Sequence, residues 1–333
     1  MLTPKENLLK LYNHEIPERI PNAWEDMFRW MPKEILERGP AREGESELGG
    51  TGYDWFGVHW TYTPQTNAAT PSPGYDPILT DITKWREQVK FPDLDAIDWE
   101  AAWERDRKNP GYSPDKMACA TFLNGPFERL HALMGFEEAL VSIMLEPESC
   151  REFFEEVVTF KIKLLDKMTA YYPVDILEQH DDYGHQQNAF MSVEQWEELL
   201  APPMKRLVDH CREKGIIFQL HSCGKVESLI PSFIKIGIEH WSSCQPMNDL
   251  EGILHKYGDR LTLWAGGSAF LKYDKDNLDD EKRRAILEDQ IFRFCKGSAF
   301  IPGVRNPDFA EMFSKMMEEK RDYYKNPENC KLP

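Results

Sequence analysis

The sequence predicts an α/β fold in which short strands alternate with helices around a parallel sheet. From about residue 115 onward, apolar runs of strand length alternate with amphipathic stretches of helical length, joined by short connections. Six such strands and a further one at 19–24 are evident, and an eighth candidate near 53–62 would close a (β/α)8 TIM barrel. An open doubly wound sheet is the alternative, but no strand is followed by the Gly-x-Gly-x-x-Gly turn of its dinucleotide-binding form.

The first third of the chain predicts a helix, a strand and an irregular cap. Thr3, Pro4 and Glu6 form the start of a helix, because a capping box places an acid three residues after the capping hydroxyl. The segment RIPNAW at 19–24 predicts a strand. Residues 31–75 are rich in Gly, Pro and aromatic side chains, and we interpret them as an ordered, irregular cap insertion rather than a disordered segment.

The remainder predicts repeated pairs of one strand and one helix. Apolar runs predict strands at 117–123, 174–179, 216–222, 238–243, 261–267 and 299–303. Helical periodicity predicts helices at 136–172, 191–215, 225–236, 247–257 and 279–296, with a break at Pro202-Pro203. We therefore expect residues 1–333 to form a single barrel domain with 31–75 as the cap.

Composition excludes several classes of protein. The chain has 57 Asp and Glu against 40 Lys and Arg, a net charge of −17, which disfavours general nucleic-acid binding because phosphates are repelled. Seven cysteines are an odd number, so a disulfide framework is not expected. No signal peptide and no membrane-spanning apolar run is evident. We expect a cytoplasmic protein with reduced thiols and no membrane partner.

The strongest chemical signal is a histidine and a cysteine at one strand end. His221 and Cys223 end the strand at 216–222 before a glycine, and Cys244 ends the next strand. Neighbouring parallel strands deliver such groups to the same end of a barrel, and a His with two thiolates suits zinc. The competing interpretation is that free cysteines are simply small buried apolar residues. We predict a zinc site formed by His221, Cys223 and Cys244.

Carboxylates follow two predicted strands and are candidates for acid–base catalysis. Asp181 and Asp182 lie in the cluster EQHDDYGHQQ at 178–187. Adjacent side chains tend to point opposite ways, so we expect one to face the mouth, with Asp182 favoured, and the other to cap a turn. Glu25 follows the strand predicted at 19–24 and is the third candidate, with helix capping as the competing role.

Aromatic and amide side chains at strand ends predict the substrate-binding wall. Trp264 precedes Gly266 and Gly267, which permit close approach of the backbone to a ligand. The complete set of predicted substrate-binding residues is Trp24, Phe122, His180, Gln187 and Trp264. Packing in the core is the competing role for the aromatic members.

Several segments together resemble the uroporphyrinogen decarboxylase superfamily. They include TPKENLLKLYNHEIPERIP, YDWFGVHW, GPFERLHALMG, DDYGHQ with MSVEQWEELLAPPMKRL, and HSCGKVESLIPSFIKIGIEHW, and they cover nearly the whole chain. The resemblance implies a (β/α)8 barrel, in agreement with the strand pattern.

Two chemistries occur in this superfamily. Cofactor-free decarboxylases carry an Arg-rich segment after the first strand, whereas this chain reads NAWEDMFRWMP, with acids in front and only Arg29. Zinc-dependent methyltransferases that work with a corrinoid protein share the His-x-Cys pair, which corresponds to His221 and Cys223. Their usual third ligand follows the last Pro-Gly, where this chain has Val304, so we expect Cys244 to replace it.

The resemblance implies a zinc-dependent methyltransferase, with cobalamin supplied by a separate corrinoid protein. The chain itself lacks an Asp-x-His-x-x-Gly cobalamin pattern. The aromatic content and the missing basic pocket favour a small methylated donor such as a methoxylated aromatic. The alternatives are a corrinoid:thiol methyltransferase, in which zinc holds a thiolate, a cofactor-free decarboxylase and a non-catalytic tetrapyrrole-binding barrel. A homodimer is compatible with the sequence.

Overall fold

Seven parallel strands form one curved sheet in the computed structural model, which describes residues 1–39, 50–63, 68–267 and 270–332. Each strand pairs with the next one along the chain, so the order in the sheet is the order in the sequence. The strands are β1 (Met27–Trp30), β5 (Met117–Phe122), β6 (Ile176–His180), β7 (Ile217–His221), β8 (His240–Cys244), β9 (Thr262–Ala265) and β10 (Phe300–Pro302).

The two edges of this sheet curl toward each other. Strands β1 and β10 share no ladder within the described ranges, yet residues beside them are in contact. A Cβ placed on Gly303, just after β10, would lie 3.1 Å from the indole nitrogen of Trp24 and 3.2 Å from Cβ of Ala23, both just before β1. The predicted TIM-barrel-like α/β fold is confirmed.

Helices follow the strands as the periodicity predicts. The capping box of Thr3 and Glu6 is present, and the helix predicted at 191–215 is divided at Leu200, with Pro202 in the first turn of its second part. The helices are α1 (Pro4–Tyr12), α2 (Ala23–Asp26), α3 (Trp85–Gln88), α4 (Trp99–Asp106), α5 (Pro126–Met134), α6 (Phe136–Leu145), α7 (Pro147–Thr169), α8 (Val193–Leu199), α9 (Ala201–Glu213), α10 (Ile230–Lys235), α11 (Leu250–Tyr257), α12 (Asp280–Gln290) and α13 (Ala310–Glu319).

The two faces of the sheet contribute to two different apolar cores. On β5, Ala118, Ala120 and Phe122 belong to the large outer core with the helices, whereas Met117 and Cys119 belong to a small inner one. The inner core also contains Leu8, Leu11 and Tyr12 of α1. Because alternate side chains of a strand point to opposite faces, this division identifies the barrel interior and shows that α1 closes its amino end.

Two predictions about strands in the first third differ from the structure. Residues 19–24 form no strand; the chain enters the short helix α2, capped by Asn22, and the strand begins at Met27. The candidate near 53–62 forms an antiparallel sheet outside the barrel, because a short turn at 54–58 returns the chain beside itself. Its strands are β2 (Thr51–Tyr53), β3 (His59–Thr63) and β4 (Ala68–Pro71).

Buried ion pairs attach the segment after β1 to the helices near the barrel mouth. Arg129 of α5 donates to Asp54 at 2.6 Å, and both side chains are almost fully buried. Lys161 of α7 pairs with Glu37. These contacts show order in part of the predicted cap at 31–75, of which 40–49 and 64–67 lie outside the described residues. The extent of a single domain with a cap stays a prediction.

Candidate metal centre

His221 and Cys223 lie together at the carboxyl end of the sheet. His221 is the last residue of β7, and Cys223 begins the following turn. The Nε2 atom of His221 lies 3.6 Å from Sγ of Cys223, and both side chains are half-buried. The strand end therefore brings one imidazole nitrogen and one sulfur to a single point at the barrel mouth, as predicted from the sequence.

The two neighbouring aspartates after β6 have different surroundings. Asp181 is fully buried, and its carboxylate accepts the N–H groups of Phe127 and Glu128 at 3.2 and 2.8 Å, which caps α5. Asp182 faces the pair instead: its Oδ1 accepts the N–H of Cys223 at 2.7 Å and lies 4.0 Å from Nε2 of His221. Of the two predicted carboxylates, the structure brings only Asp182 to the His221–Cys223 pair.

Cys244 lies near this point in the fold but does not face it. Its Sγ is buried and donates to the carbonyl of Trp241 at 3.3 Å. A β-bulge separates Ser242 from Cys244, and Ser243 at the bulge has φ of 62°. The hydroxyl of Ser243, not the thiol of Cys244, lies 3.1 Å from Sγ of Cys223. One extra residue in a strand reverses the side chains that follow it, which explains this placement.

A column of polar side chains continues below the mouth into the barrel. His180 stacks on His221 with ring centroids 3.7 Å apart and planes inclined by 5°. Below them, Glu178 accepts from Arg29, Gln219 and Ser242 at 3.3, 2.8 and 2.8 Å. Ligand atoms of Glu178, His180 and His221 also lie within 4.8 Å of one another, but the Glu178 carboxylate is already held by Arg29, Gln219 and Ser242. His180 instead fixes the orientation of the His221 ring.

The donor set at the mouth fits a zinc ion. Ligand atoms of Asp182, His221 and Cys223 all lie within 4.8 Å of one another. Zinc bonds are about 2.1 Å to a histidine nitrogen and 2.3 Å to a cysteine sulfur. In a tetrahedral centre, the nitrogen and the sulfur are therefore about 3.6 Å apart. That separation is the one observed between His221 and Cys223. One nitrogen, one sulfur and one oxygen would leave a fourth position open toward solvent.

Electrostatics at the mouth favour the neutral forms of both central residues. Burial lowers the pKa of His221 well below its usual range, and the neighbouring His180 acts in the same direction. Burial, together with Asp182, raises the pKa of the Cys223 thiol well above its usual range. Burial also opposes the ionisation of Glu178, yet Arg29 holds the pKa of that carboxyl well below its usual value. The imidazole is therefore uncharged, as metal ligation requires.

Three loops clamp the turn that carries Cys223. A Cβ on Gly224 would lie 2.1 Å from the backbone of Gly184, so the loops after β6 and β7 touch through their main chains. Asn248, after β8, donates to the carbonyl of Gly224 at 2.9 Å and accepts the N–H groups of Val226 and Glu227. These contacts fix the turn at Gly224, which has φ of 82°.

The predicted substrate-wall residues separate into two groups. Trp24 and Trp264 face each other with ring centroids 5.2 Å apart, and the guanidinium of Arg29 lies within 4.8 Å of both rings. Phe122 is fully buried in the outer core, and Gln187 is exposed in the loop after β6. The structure thus brings Trp24, Trp264 and His180 to the interior column, and not Phe122 or Gln187.

Glu25 is not brought to the cluster either. It is exposed in α2, which precedes β1, because the strand expected before it is absent. Its neighbour Asp26 is oriented toward Arg19, 3.8 Å away. Burial raises the pKa of Asp26 to about 6.

Sequence reasoning did not select Glu178, Ser243 or Asn248. The sequence did contain a signal for Glu178, which is a charged residue in the middle of an apolar strand. It lies two residues before His180, so the two side chains point to the same face of the strand. The contact of Ser243 depends on a bulge, and that of Asn248 on the meeting of three loops. Neither feature leaves a local pattern in the sequence.

The described helices include none that is both long and apolar enough to cross a membrane. A surface depression of about 310 Å³ lies on the outer side of the barrel, between Trp85 and α7. It shares no residue with the His221 cluster.

Comparison with known proteins agrees with this architecture. The family profile of uroporphyrinogen decarboxylase (URO-D) matches residues 111–264, which contain β5 to β8, most of β9 and the His221–Cys223 pair. The resemblance to the uroporphyrinogen decarboxylase superfamily is confirmed. Among solved structures, the chain resembles a methyltransferase from Methanosarcina mazei, with a TM-score of 0.67, 14% identity, and coverage of 98% of this chain and 100% of that one.

A 3-keto-D-glucoside 4-epimerase from E. coli is also similar, with a TM-score of 0.30, 12% identity, and coverage of 74% of this chain and 89% of that one. No curated protein matches the chain. At 14% identity, the likeness to the Methanosarcina mazei structure establishes the fold alone.

Proposed function

We propose that this protein is a zinc-dependent methyltransferase that moves a methyl group from a small methylated donor to the cobalamin of a separate corrinoid protein. The observation that carries the proposal is the His221–Cys223 pair, whose nitrogen and sulfur lie at a zinc-compatible 3.6 Å at the mouth of the barrel. The fold it shares with a methyltransferase from Methanosarcina mazei supports the same reaction class.

The donor that best suits the interior is a methoxylated aromatic. The indoles of Trp24 and Trp264 form an apolar wall, and Arg29 is already engaged by Glu178 and by both rings. Pairing with Glu178 compensates the charge of Arg29, which weakens its attraction for a substrate carboxylate. This arrangement favours a flat, weakly charged ligand.

Bound zinc would act as a Lewis acid toward the ether oxygen. His221 and Cys223 would hold the ion, and His180 orients the His221 ring by stacking. In the reaction the carbon–oxygen bond breaks with its electron pair left on oxygen. The methyl group passes to the reduced cobalamin of the partner, and the leaving oxygen takes up one proton. Asp182 lies beside the His221–Cys223 pair, and we predict that it helps to position the donor there.

The alternative within the superfamily is a cofactor-free decarboxylase. It would need cationic side chains that face the substrate, whereas the carboxylates of Glu37, Asp54 and Glu178 already pair with Lys161, Arg129 and Arg29. This pairing disfavours a polycarboxylate substrate. A thiol acceptor held on zinc as a thiolate remains the second alternative.

The test uses purified full-length protein, 2-methoxyphenol as donor and free cob(I)alamin as acceptor. We expect catechol to form and the cob(I)alamin absorbance to fall, with both changes abolished by a chelator and restored by zinc. Undiminished activity in metal-free protein would contradict the proposal. Zinc-independent release of carbon dioxide from a polycarboxylate would identify the decarboxylase instead.

A further inference from the structure

We propose that Asp182, and not Cys244, is the third protein ligand of the metal at His221 and Cys223. This inference rests on the zinc chemistry proposed above and deepens it by identifying the ligand set. It assigns to the barrel mouth a site of one nitrogen, one sulfur and one oxygen donor, with the fourth position open to the substrate.

The position of Asp182 supports this assignment. Its Oδ1 lies 4.0 Å from Nε2 of His221, and the N–H of Cys223 donates to the same oxygen at 2.7 Å. The ligand atoms of all three residues fall within 4.8 Å of one another. About one third of the Asp182 side chain is exposed, so the carboxylate lies at the mouth and can shift slightly to contact an ion.

The register of β8 argues against Cys244. Ser242 points inward, because its hydroxyl donates to Glu178, and simple alternation would make Cys244 point inward as well. The bulge inserts Ser243, so Cys244 lies opposite Ala265, which belongs with Cys244 to the outer core. Bringing the thiol of Cys244 to His221 would require the strand end to be rebuilt.

The ligand set has a chemical consequence. A carboxylate donates less electron density to zinc than a thiolate does, so the ion keeps more of its positive charge. Such an ion polarises an ether oxygen more strongly and activates a bound thiolate less. The proposed set therefore favours an oxygen-linked methyl donor over a thiol acceptor.

Cobalt(II) substitution tests the ligand set without any assay of activity. The full-length protein is stripped of metal and titrated with Co²⁺, while the visible bands and the near-ultraviolet sulfur-to-cobalt charge-transfer band are recorded. We expect four-coordinate Co²⁺ with a band intensity that corresponds to one thiolate. Cys223→Ser should abolish that band, and Cys244→Ser should leave both the spectrum and the affinity unchanged.

Variants of the two adjacent aspartates provide the matched comparison. Asp182→Ala should weaken Co²⁺ binding by roughly 100-fold or more, because loss of a direct ligand exceeds the 10–100-fold cost of losing an outer partner. Asp181→Asn should keep the spectrum, since Asp181 caps α5. Asp182→Cys should restore tight binding and roughly double the charge-transfer band. This gain of signal is informative even if Asp182→Ala folds poorly.

The outcomes separate this inference from the proposed function. If Cys244→Ser halves the charge-transfer band while Asp182→Ala leaves the spectrum intact, Asp182 is not a ligand, but the zinc methyltransferase proposal survives. If the wild-type protein binds neither Co²⁺ nor Zn²⁺, both proposals fail together.

Discussion

The two ends of the barrel are built from the same strands but differ in polarity and in exposure to solvent. At the amino end, Leu8, Leu11 and Tyr12 of α1 insert apolar side chains into the interior and close it. At the carboxyl end, His221, Cys223 and Asp182 remain half-buried and are held by loop backbones rather than by apolar packing. One end excludes water, and the other presents ligand atoms to it.

This contrast indicates a division of labour along the barrel axis. The side chains of α1 that close the amino end, here called the plug, bury apolar surface and so contribute to stability. The polar groups at the mouth bury little apolar surface, so hydrogen bonds must hold them in place. Glu178 lies between the two regions, where it links Arg29, Gln219 and Ser242. Changes at the mouth should therefore alter chemistry with little effect on stability, and changes at the plug should do the reverse.

The largest effect is expected from Cys223→Ser at the mouth. Loss of the sulfur that lies beside His221 should abolish zinc binding and lower turnover by at least roughly 10²-fold. Metal analysis and the 2-methoxyphenol assay measure the two effects. The control is Cys211→Ser on α9, a buried thiol outside the cluster, which should keep its zinc. Full zinc occupancy in the Cys223 variant would show that the metal is not held at the mouth.

Leu11→Ala at the plug should affect stability rather than chemistry. Leu11 is fully buried, so its truncation should lower the free energy of unfolding by about 2–5 kcal/mol through lost burial and a cavity. Urea denaturation measures this change, and Lys10→Ala on the same helix, a half-exposed position, is the control. Zinc per folded chain should not change; a parallel loss of metal would show that the two ends are coupled.

Asn248→Ala tests how far the mouth depends on its loop clamp. Without the amide, the Gly224 carbonyl and the N–H groups of Val226 and Glu227 lose their partner, and the turn that holds Cys223 should loosen. We expect metal affinity to fall by roughly 10–100-fold and alkylation of Cys223 in the metal-free protein to accelerate. Asn188→Ala, in the exposed loop after β6, is the control. Unchanged affinity and alkylation would mean that the turn holds its shape alone.

The smallest effect is expected from Asp26→Asn near the amino end. The pKa of Asp26 is raised by burial from 3.8 to about 6, so the folded state holds this proton more tightly than the unfolded state. Its contribution to stability is full below about pH 4 and is lost as the pH rises through 6, by about 1–3 kcal/mol in total. Asp26→Asn should flatten this part of the pH profile relative to wild type. If the free energies of unfolding of the variant and the wild type change with pH in parallel, Asp26 is not the group responsible.

Strand alternation made much of the fold predictable from the sequence. Six of the seven barrel strands overlap their predicted ranges, because apolar runs between polar turns report burial on both faces of a parallel strand. The same logic predicted that His221 and Cys223 lie together, since both belong to one strand end and the spacing of two residues keeps them on one side. The predicted strand at 19–24 failed because Asn22 caps a helical turn there.

Side-chain orientations that depend on contacts between segments distant in the sequence were decided by the tertiary structure. The sequence by itself determined the barrel class, the His221–Cys223 pair and the need for one of two adjacent aspartates to turn away. Only the structure showed that Asp181 is the one that turns away, because the N–H groups of α5 attract it. Only the structure showed the bulge that directs Cys244 outward, because register depends on hydrogen bonds between strands and not on residue order.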